Sequence, residues 1–266
     1  MFESQSFFDL AEFAHAELFD GAERVWDGLR NLKSYMDDND CKPLVHGLFA
    51  SGIPLTEPLI LLDGELHSGR DCQIEYNNVT RCGLKVIRDG EHLQGASVIM
   101  AGATLLGHRI QVGKGVLIES GSWIREPAFI GDYSEVRQGA YLRGYCLVGM
   151  RCVVGHATEV KHSIFLNDAK AGHFAYVGDS ILGWDVNLGA GTKLANLRFL
   201  AGEVQVKTAD GIVGTGLRKF GAILGDRVQT GCNSVTSPGT LIGPDSFLMP
   251  NVTAPSGHHG PRKVIR

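Results

Sequence analysis

Residues 100–160 read MAGATLLGHRIQVGKGVLIESGSWIREPAFIGDYSEVRQGAYLRGYCLVGMRCVVGHATEV. Every sixth residue from Met100 is aliphatic: Leu106, Val112, Ile118, Ile124, Ile130, Val136, Leu142, Val148, Val154 and Val160 follow in turn. Two positions before each stands a small or β-branched residue, from Val98 and Thr104 through Ser134 and Ala140 to Cys152 and Thr158. Glycine often comes next, as at Gly107, Gly113, Gly131, Gly149 and Gly155. A beat of six matches neither the 3.6 period of a helix nor the alternation of an ordinary strand. It matches a short strand and a corner, with one large and one small side chain pointing inward on each face. Three such faces close a coil of three hexads, and coils stack at the inter-strand spacing of ~4.8 Å. The expected fold is therefore mainly β, a triangular parallel β-helix built from an internal repeat.

The beat continues beyond Val160 at Phe165, Ala171, Val177, Leu182, Leu188 and Leu194, with two five-residue steps, and resumes at Leu224, Thr230, Thr236, Ile242, Leu248 and Ala254. Between the two runs, positions 195–221 contain EVQVKTADGIVG, which alternates around a turn signal and predicts a hairpin arm. The N-terminal stretch carries apolar side chains at near-helical spacing (Phe7, Leu10, Phe13, Ala14, then Val25, Trp26, Leu29, Leu32). Asp20-Gly21 predicts a break between two helices, and Pro43, Pro54 and Pro58 mark a linker. The expected division is an N-terminal helical segment and linker over 1–58 and the β-helix over 59–266, with its arm at 195–221.

Composition narrows the class. Glycine is abundant at 35 of 266 residues, without a collagen period. A formal net charge of −4 gives no general reason to expect nucleic-acid binding. The acidic start, MFESQSFFDLAEF, lacks the basic region of a signal peptide, and no apolar run approaches a membrane span. Six cysteines (Cys41, Cys72, Cys82, Cys146, Cys152, Cys232) form no CxxC pair. Reduced thiols in a cytoplasmic protein, with neither nucleic acid nor membrane as partner, are therefore expected.

Chemistry on such a prism must sit at corners and outer faces. Arg125, Arg143 and Lys161 recur once per coil, hence on one edge of successive coils, roughly 5 Å from one another. Solvated surface is one reading of this stack and an anion site, such as a phosphate, the other. Arg137 and His173 fall on one face two coils apart, and Gly155 at the level between them predicts room for a groove. His156 and His162 are one hexad apart and so on different faces, and no metal site is expected. The stretch 171–180, AGHFAYVGDS, is where the beat falters, and departures from a regular scaffold often accompany function.

The ordered set RQGAYLRG, GHATEVKHS, AGHFAYVGDS, DVNLGAGTKLANLR and RKFGAILGDRVQTGCNSV resembles one family over roughly positions 130–250. It is similar to the acetyltransferase half of the bifunctional N-acetylglucosamine-1-phosphate uridyltransferase/glucosamine-1-phosphate acetyltransferases, especially archaeal-type sugar-1-phosphate relatives. The resemblance implies a left-handed β-helix, a homotrimer and acetyl-CoA as co-substrate, with no metal in acetyl transfer. It implies His173 as the general base. It implies Arg137, Lys161 and Tyr176 on the sugar phosphate and hydroxyls, and Asn187 near the acetyl group. Asn196 and Lys219 match contacts from a neighbouring subunit, and Ala190 and Cys232 match backbone that receives the pantetheine arm. Ala175 stands where the family often has a polar residue, which bears on the sugar bound. No GxGTRM-type loop precedes the repeat, so uridyl transfer is not expected. The function implied is N-acetylation of an amino-sugar 1-phosphate or nucleotide sugar. The alternative is a non-catalytic assembly or sugar-nucleotide-binding module.

Overall fold

A computed structural model describes residues 2–38, 44, 48–208 and 211–266. Its body is a triangular solenoid of parallel strands. Two faces are eight-stranded sheets and the third is eleven-stranded. The register shows the coil length directly. Val136 pairs with Val154 and Leu142 with Val160, each three full hexads on. Val154 with Ala171, Val160 with Val177 and Phe165 with Leu182 are separated by one residue fewer. Both five-residue steps thus shorten a corner while each aliphatic residue stays in line. From Ile118 onward every residue of the beat is buried inside the prism, through Leu194 and again from Leu224 to Ala254.

The first two beats slip. Ile99 pairs with Ile118 and Leu105 with Ile124, and these two are buried while Met100 and Leu106 are half-exposed. Both sites hold neighbouring apolar residues, so six-residue counting cannot tell which one turns inward. Corners fall on residues with positive φ, and one edge carries Gly139, Ala157, Phe174, Gly191, Asn233 and Asn251 in this conformation. A side chain here costs strain that glycine avoids, and the fixed pattern of corners accepts it.

The outer faces differ. One eight-stranded sheet, here the covered sheet, turns Phe129, Leu147, Ile164, Ile181, Ile223 and Leu241 outward, and all are buried. Phe7, Phe8, Phe13, Leu18, Phe19, Val25, Trp26, Leu29, Leu32 and Met36 lie over them. The expectation of two helices in this segment is corrected. Among the described residues only Asp27–Asp38 is an α-helix, and Ser4–Ser6 and Ala16–Phe19 are short 3₁₀ turns. A flat apolar sheet can be covered by turns and extended chain that wedge aromatics onto it, so near-helical spacing does not require a helix. The hairpin arm is present, Gln205–Thr208 against Gly211–Gly214, and its turn at 209–210 lies outside the described residues. It folds back, burying Val204 and Val206 in the same cluster as Trp26 and Phe220.

At the other end, Leu59–Leu62 and Glu65–Ser68 form an antiparallel hairpin joined to Ser97–Ile99 of the eleven-stranded sheet. Strands Cys72–Tyr76, Leu84–Arg88 and Glu91–His92 form a separate antiparallel sheet that packs Val79 and Val86 against Leu117. Pro43 and Cys41 lie outside the described residues. The other five cysteines are free. Burial pushes the Cys146 and Cys152 thiols up to about 12, so both are inert core residues.

Candidate functional site

The second eight-stranded sheet, the open sheet, turns polar and aromatic side chains to solvent. Its outward column runs Trp123, Tyr141, Glu159, Tyr176 and Lys193 on successive coils. One corner away, on the eleven-stranded sheet, strand Lys170–His173 ends at His173, which is exposed. His156 pairs with His173 on the coil below. Its Nδ1 lies 2.8 Å from the Gln138 carbonyl, and its ring meets Phe174 edge-on at 5.4 Å.

Two coils above His156 the same column holds Ala190, and one coil further Cys232, by the registers Ala171–Leu188 and Leu188–Thr230. Backbone bonds tie the column together: the Gly191 N–H donates to the His173 carbonyl at 3.0 Å and the Asn233 N–H to the Ala190 carbonyl at 2.8 Å. His173, Ala190 and Cys232 therefore line one edge. Asn187 is exposed on the same sheet, beside Lys170 and Gln229.

Lys161, Tyr176 and Asn196 gather around a residue absent from the sequence expectations. Asp179 is buried and accepts hydrogen bonds from Lys161 Nζ at 2.9 and 3.0 Å and from Asn196 Nδ2, and meets His162 Nδ1 at 3.1 Å. Burial alone would raise its pKa, but the bonds from His162, Lys161 and Asn196 outweigh this and hold the carboxyl below its usual range. Tyr176 lies beside Asn196, and burial together with the Glu159 and Asp179 charges raises its phenol, so it stays a hydroxyl donor at neutral pH. Asp179 sits three hexads after Lys161 in the sequence, but the shortened coil pairs Lys161 with Gly178, so six-residue counting gives its neighbourhood and not its register.

The three stacked cations have different surroundings. Arg143 pairs with Glu159 at 2.6 Å and Lys161 with Asp179 at 2.9 Å, so carboxylates of the same chain already offset two of the charges. Arg125 lies directly opposite Arg143 and makes no ion pair among the described residues. Arg137 is on the eleven-stranded sheet, bonded to Glu135 at 3.0 Å. It is two coils from His173 and one position out of its column. Lys219 is exposed at the root of the arm, bridged to Leu197.

Two expectations are corrected by side-chain direction. Gly155 leaves no groove: a Cβ there would run into the Gly172 carbonyl, so it permits close approach of two coils. Ala175 faces no acceptor. It is 3% exposed and fills the small inward slot of its coil above Thr158, whose hydroxyl its N–H meets at 3.3 Å. Among the described residues no three metal-ligating side chains cluster, and no helix is long and apolar enough to cross a membrane.

The fold is a hexad β-helix with an exposed histidine at one edge and a hydrogen-bonded cation hub around the next corner. A family model described as the GMPPB C-terminal domain matches residues 124–215. A bifunctional sugar-1-phosphate nucleotidylyltransferase/acetyltransferase of Sulfurisphaera tokodaii is 41% identical over 133 residues, 50% of this chain and 33% of that protein. Bifunctional protein GlmU of Methanococcus vannielii is 39% identical over 124 residues, 47% of this chain and 28% of that one. Its counterpart from Picosynechococcus sp. is 34% identical over 169 residues, 58% of this chain and 31% of its own. Over about half of its length the chain is thus homologous to bifunctional sugar-1-phosphate nucleotidylyltransferase/acetyltransferases, while it spans about a third of the length of these relatives.

Proposed function

We propose that the chain is an acetyl-CoA-dependent N-acetyltransferase acting on an amino-sugar 1-phosphate or a nucleotide-linked amino sugar, with His173 as general base. The observation that carries this is the shared edge of His173, Ala190 and Cys232, with Lys161, Tyr176 and Asn196 held on the open sheet around the next corner. The thin pantetheine arm would lie along that edge and present its thioester near His173. The acceptor would rest on the open sheet with its hydroxyls toward Tyr176 and its phosphate toward Lys161 and Arg137. Lys161 keeps one of its three N–H donors beyond the two given to Asp179.

The chemical step balances simply. The acceptor amine attacks the thioester carbonyl, a C–N bond forms, and the C–S bond breaks. The amine proton passes to the His173 ring, imidazole being the side chain whose chemistry suits a base at neutral pH, and the departing CoA sulfur takes up a proton. Holding amine and thioester together supplies much of the acceleration. Asn187 would lie near the acetyl group, and Asn196 and Lys219 would complete a neighbour's site in a homotrimer. Light scattering should then give about three times 28.7 kDa.

Release of CoA thiol from acetyl-CoA in the presence of glucosamine 1-phosphate or galactosamine 1-phosphate tests the proposal. Turnover dependent on the amino sugar is expected, and the absence of turnover with sugar phosphates and nucleotide amino sugars alike would leave a non-catalytic module. The same preparation should release no pyrophosphate from UTP and N-acetylglucosamine 1-phosphate, since positions 2–38 and 59–95 build an aromatic cover and antiparallel strands.

A further inference from the structure

The open sheet carries a second feature, below the acceptor residues. Trp123 and Tyr141 project from adjacent strands with ring centroids 6.3 Å apart, and Trp123 is 47% exposed. Beside them Arg125 and Arg143 stand opposite each other in register, and the Arg143 guanidinium lies 5.8 Å from the Tyr141 ring. Like charges directly opposite on neighbouring strands are destabilising unless something neutralises them. Glu159 takes one nitrogen of Arg143, which leaves the rest of that fork, and the whole of Arg125, for a further acceptor. A planar fork of donors matches phosphate oxygens, and exposed aromatic faces accept a nucleobase irrespective of its identity.

The strip continues toward the catalytic corner. From Trp123 the column rises through Tyr141 and Glu159 to Tyr176, three coil steps or roughly 14 Å at the strand spacing. The parallel column rises from Arg125 through Arg143 to the level of Lys161. Aromatic pair, arginine pair and acceptor residues thus share one continuous strip. Base, pyrophosphate and sugar of an extended sugar nucleotide span a comparable length.

We infer that the open sheet binds a nucleoside diphosphate, with its base on Trp123 and Tyr141 and its pyrophosphate at Arg125 and Arg143, so that the acceptor is a nucleotide-linked amino sugar. This rests on the acetyl-transfer reading for the acceptor's role, but the nucleotide site itself can be tested without turnover. A contact with the same sheet of a second copy is disfavoured as the occupant, because Arg125 would need a carboxylate and this sheet offers only Glu159, which already faces Arg143.

The test has two arms. In the first, UDP is titrated into the full chain while the heat of binding is followed by calorimetry. Saturable binding is expected, with affinity falling at least tenfold in Trp123→Ala and in Arg125→Ala, and with inorganic phosphate binding far more weakly than UDP. In the second, acetyl transfer to UDP-glucosamine is compared with transfer to glucosamine 1-phosphate. The nucleotide acceptor should have a kcat/KM at least tenfold higher, and Trp123→Ala should close that gap. UDP binding without any turnover would keep the nucleotide site and sink the enzyme reading. Turnover of glucosamine 1-phosphate with no UDP binding would do the reverse. A Trp123→Ala protein that falls apart from trimer to monomer in light scattering would overturn the inference, since the aromatic pair would then be an interface between copies.

Discussion

The two eight-stranded sheets obey the same inward rule and have opposite outer faces. In the covered sheet the outward residues are Phe129, Leu147, Ile164, Ile181, Ile223 and Leu241, which the chain's own N-terminal segment and arm seal off. In the open sheet the corresponding column is Trp123, Tyr141, Glu159, Tyr176 and Lys193, each at least partly exposed. The inner beat makes the prism, and the outer residues decide what each face does. A face closed by its own chain adds stability, and a face left open stays available to a partner or substrate.

The edges repeat the contrast. At the corner between the covered and eleven-stranded sheets, positive-φ residues carry both charges: Arg151, Asp168, Asp185, Arg227, Asp245 and Arg262. Arg151 pairs with Asp168 at 2.7 Å and Arg227 with Asp245 at 2.6 Å, so this edge pairs its own charges. The positive-φ corner beside His173 instead carries Gly139, Ala157, Phe174, Gly191, Asn233 and Asn251, none of them charged.

The largest expected effect falls on that uncharged edge. His173→Ala should lower kcat by roughly 10²–10⁴-fold, the usual contribution of a positioned general base. Its melting temperature should barely move, because an exposed side chain adds little packing. A protein that loses many degrees yet keeps its activity per folded molecule would make His173 an ordinary corner residue.

Next in size is a pair of tryptophans. Trp26 is buried over the covered sheet, 6.1 Å from Phe220, and Trp26→Ala should cost about 3–5 kcal/mol in urea unfolding. Trp123→Ala on the open sheet should stay within about 0.5 kcal/mol. Equal losses would erase the distinction between the sheets. A smaller change is expected at the charged edge: Arg227→Ala removes the pair with Asp245 and the guanidinium 5.5 Å from the Trp184 ring. Exposed pairs contribute up to about 1 kcal/mol, and molar salt should reduce the difference from the parent protein.

How far the sequence can be read follows from where each constraint acts. Inward residues from Ile118 on are legible because the prism admits one large and one small side chain per face, coil after coil. The slip at Met100 and Leu106 is not, since Ile99 and Leu105 satisfy the same chemistry one residue away. Ala175 escapes for a related reason: in AGHFAYVGDS the inward slot falls two residues before Val177, and resemblance to a motif does not give direction. Asp179 stands one residue past Gly178, the coil partner of Lys161, and a search for stacked cations passes over the carboxylate that neutralises one of them. The covered face is illegible as such, because its aromatics come from the N-terminus, far in sequence from the strands they protect.

The smallest effects concern two buried carboxylates, one on each side of the comparison. Asp226, beside the N-terminal segment, accepts the N–H of Asp9 at 2.7 Å and of Trp184 at 2.8 Å. Burial outweighs these bonds and raises its pKa. A raised carboxyl binds protons more readily folded than unfolded, so its stabilising contribution is present below the unfolded value of about 3.9 and is lost as pH rises through the folded one. Asp179 has its pKa lowered, so its contribution is present above about 3.9 and is lost as pH falls through the folded value. Urea midpoints measured from neutral pH down into the carboxylate range should therefore diverge. Relative to the parent, Asp226→Asn should do better at neutral pH than in acid, and Asp179→Asn should do better in acid than at neutral pH. Parallel curves for the two variants would mean that the Lys161–His162–Asn196 hub does not hold Asp179 charged, and that the open sheet is no more polar in its energetics than the covered one.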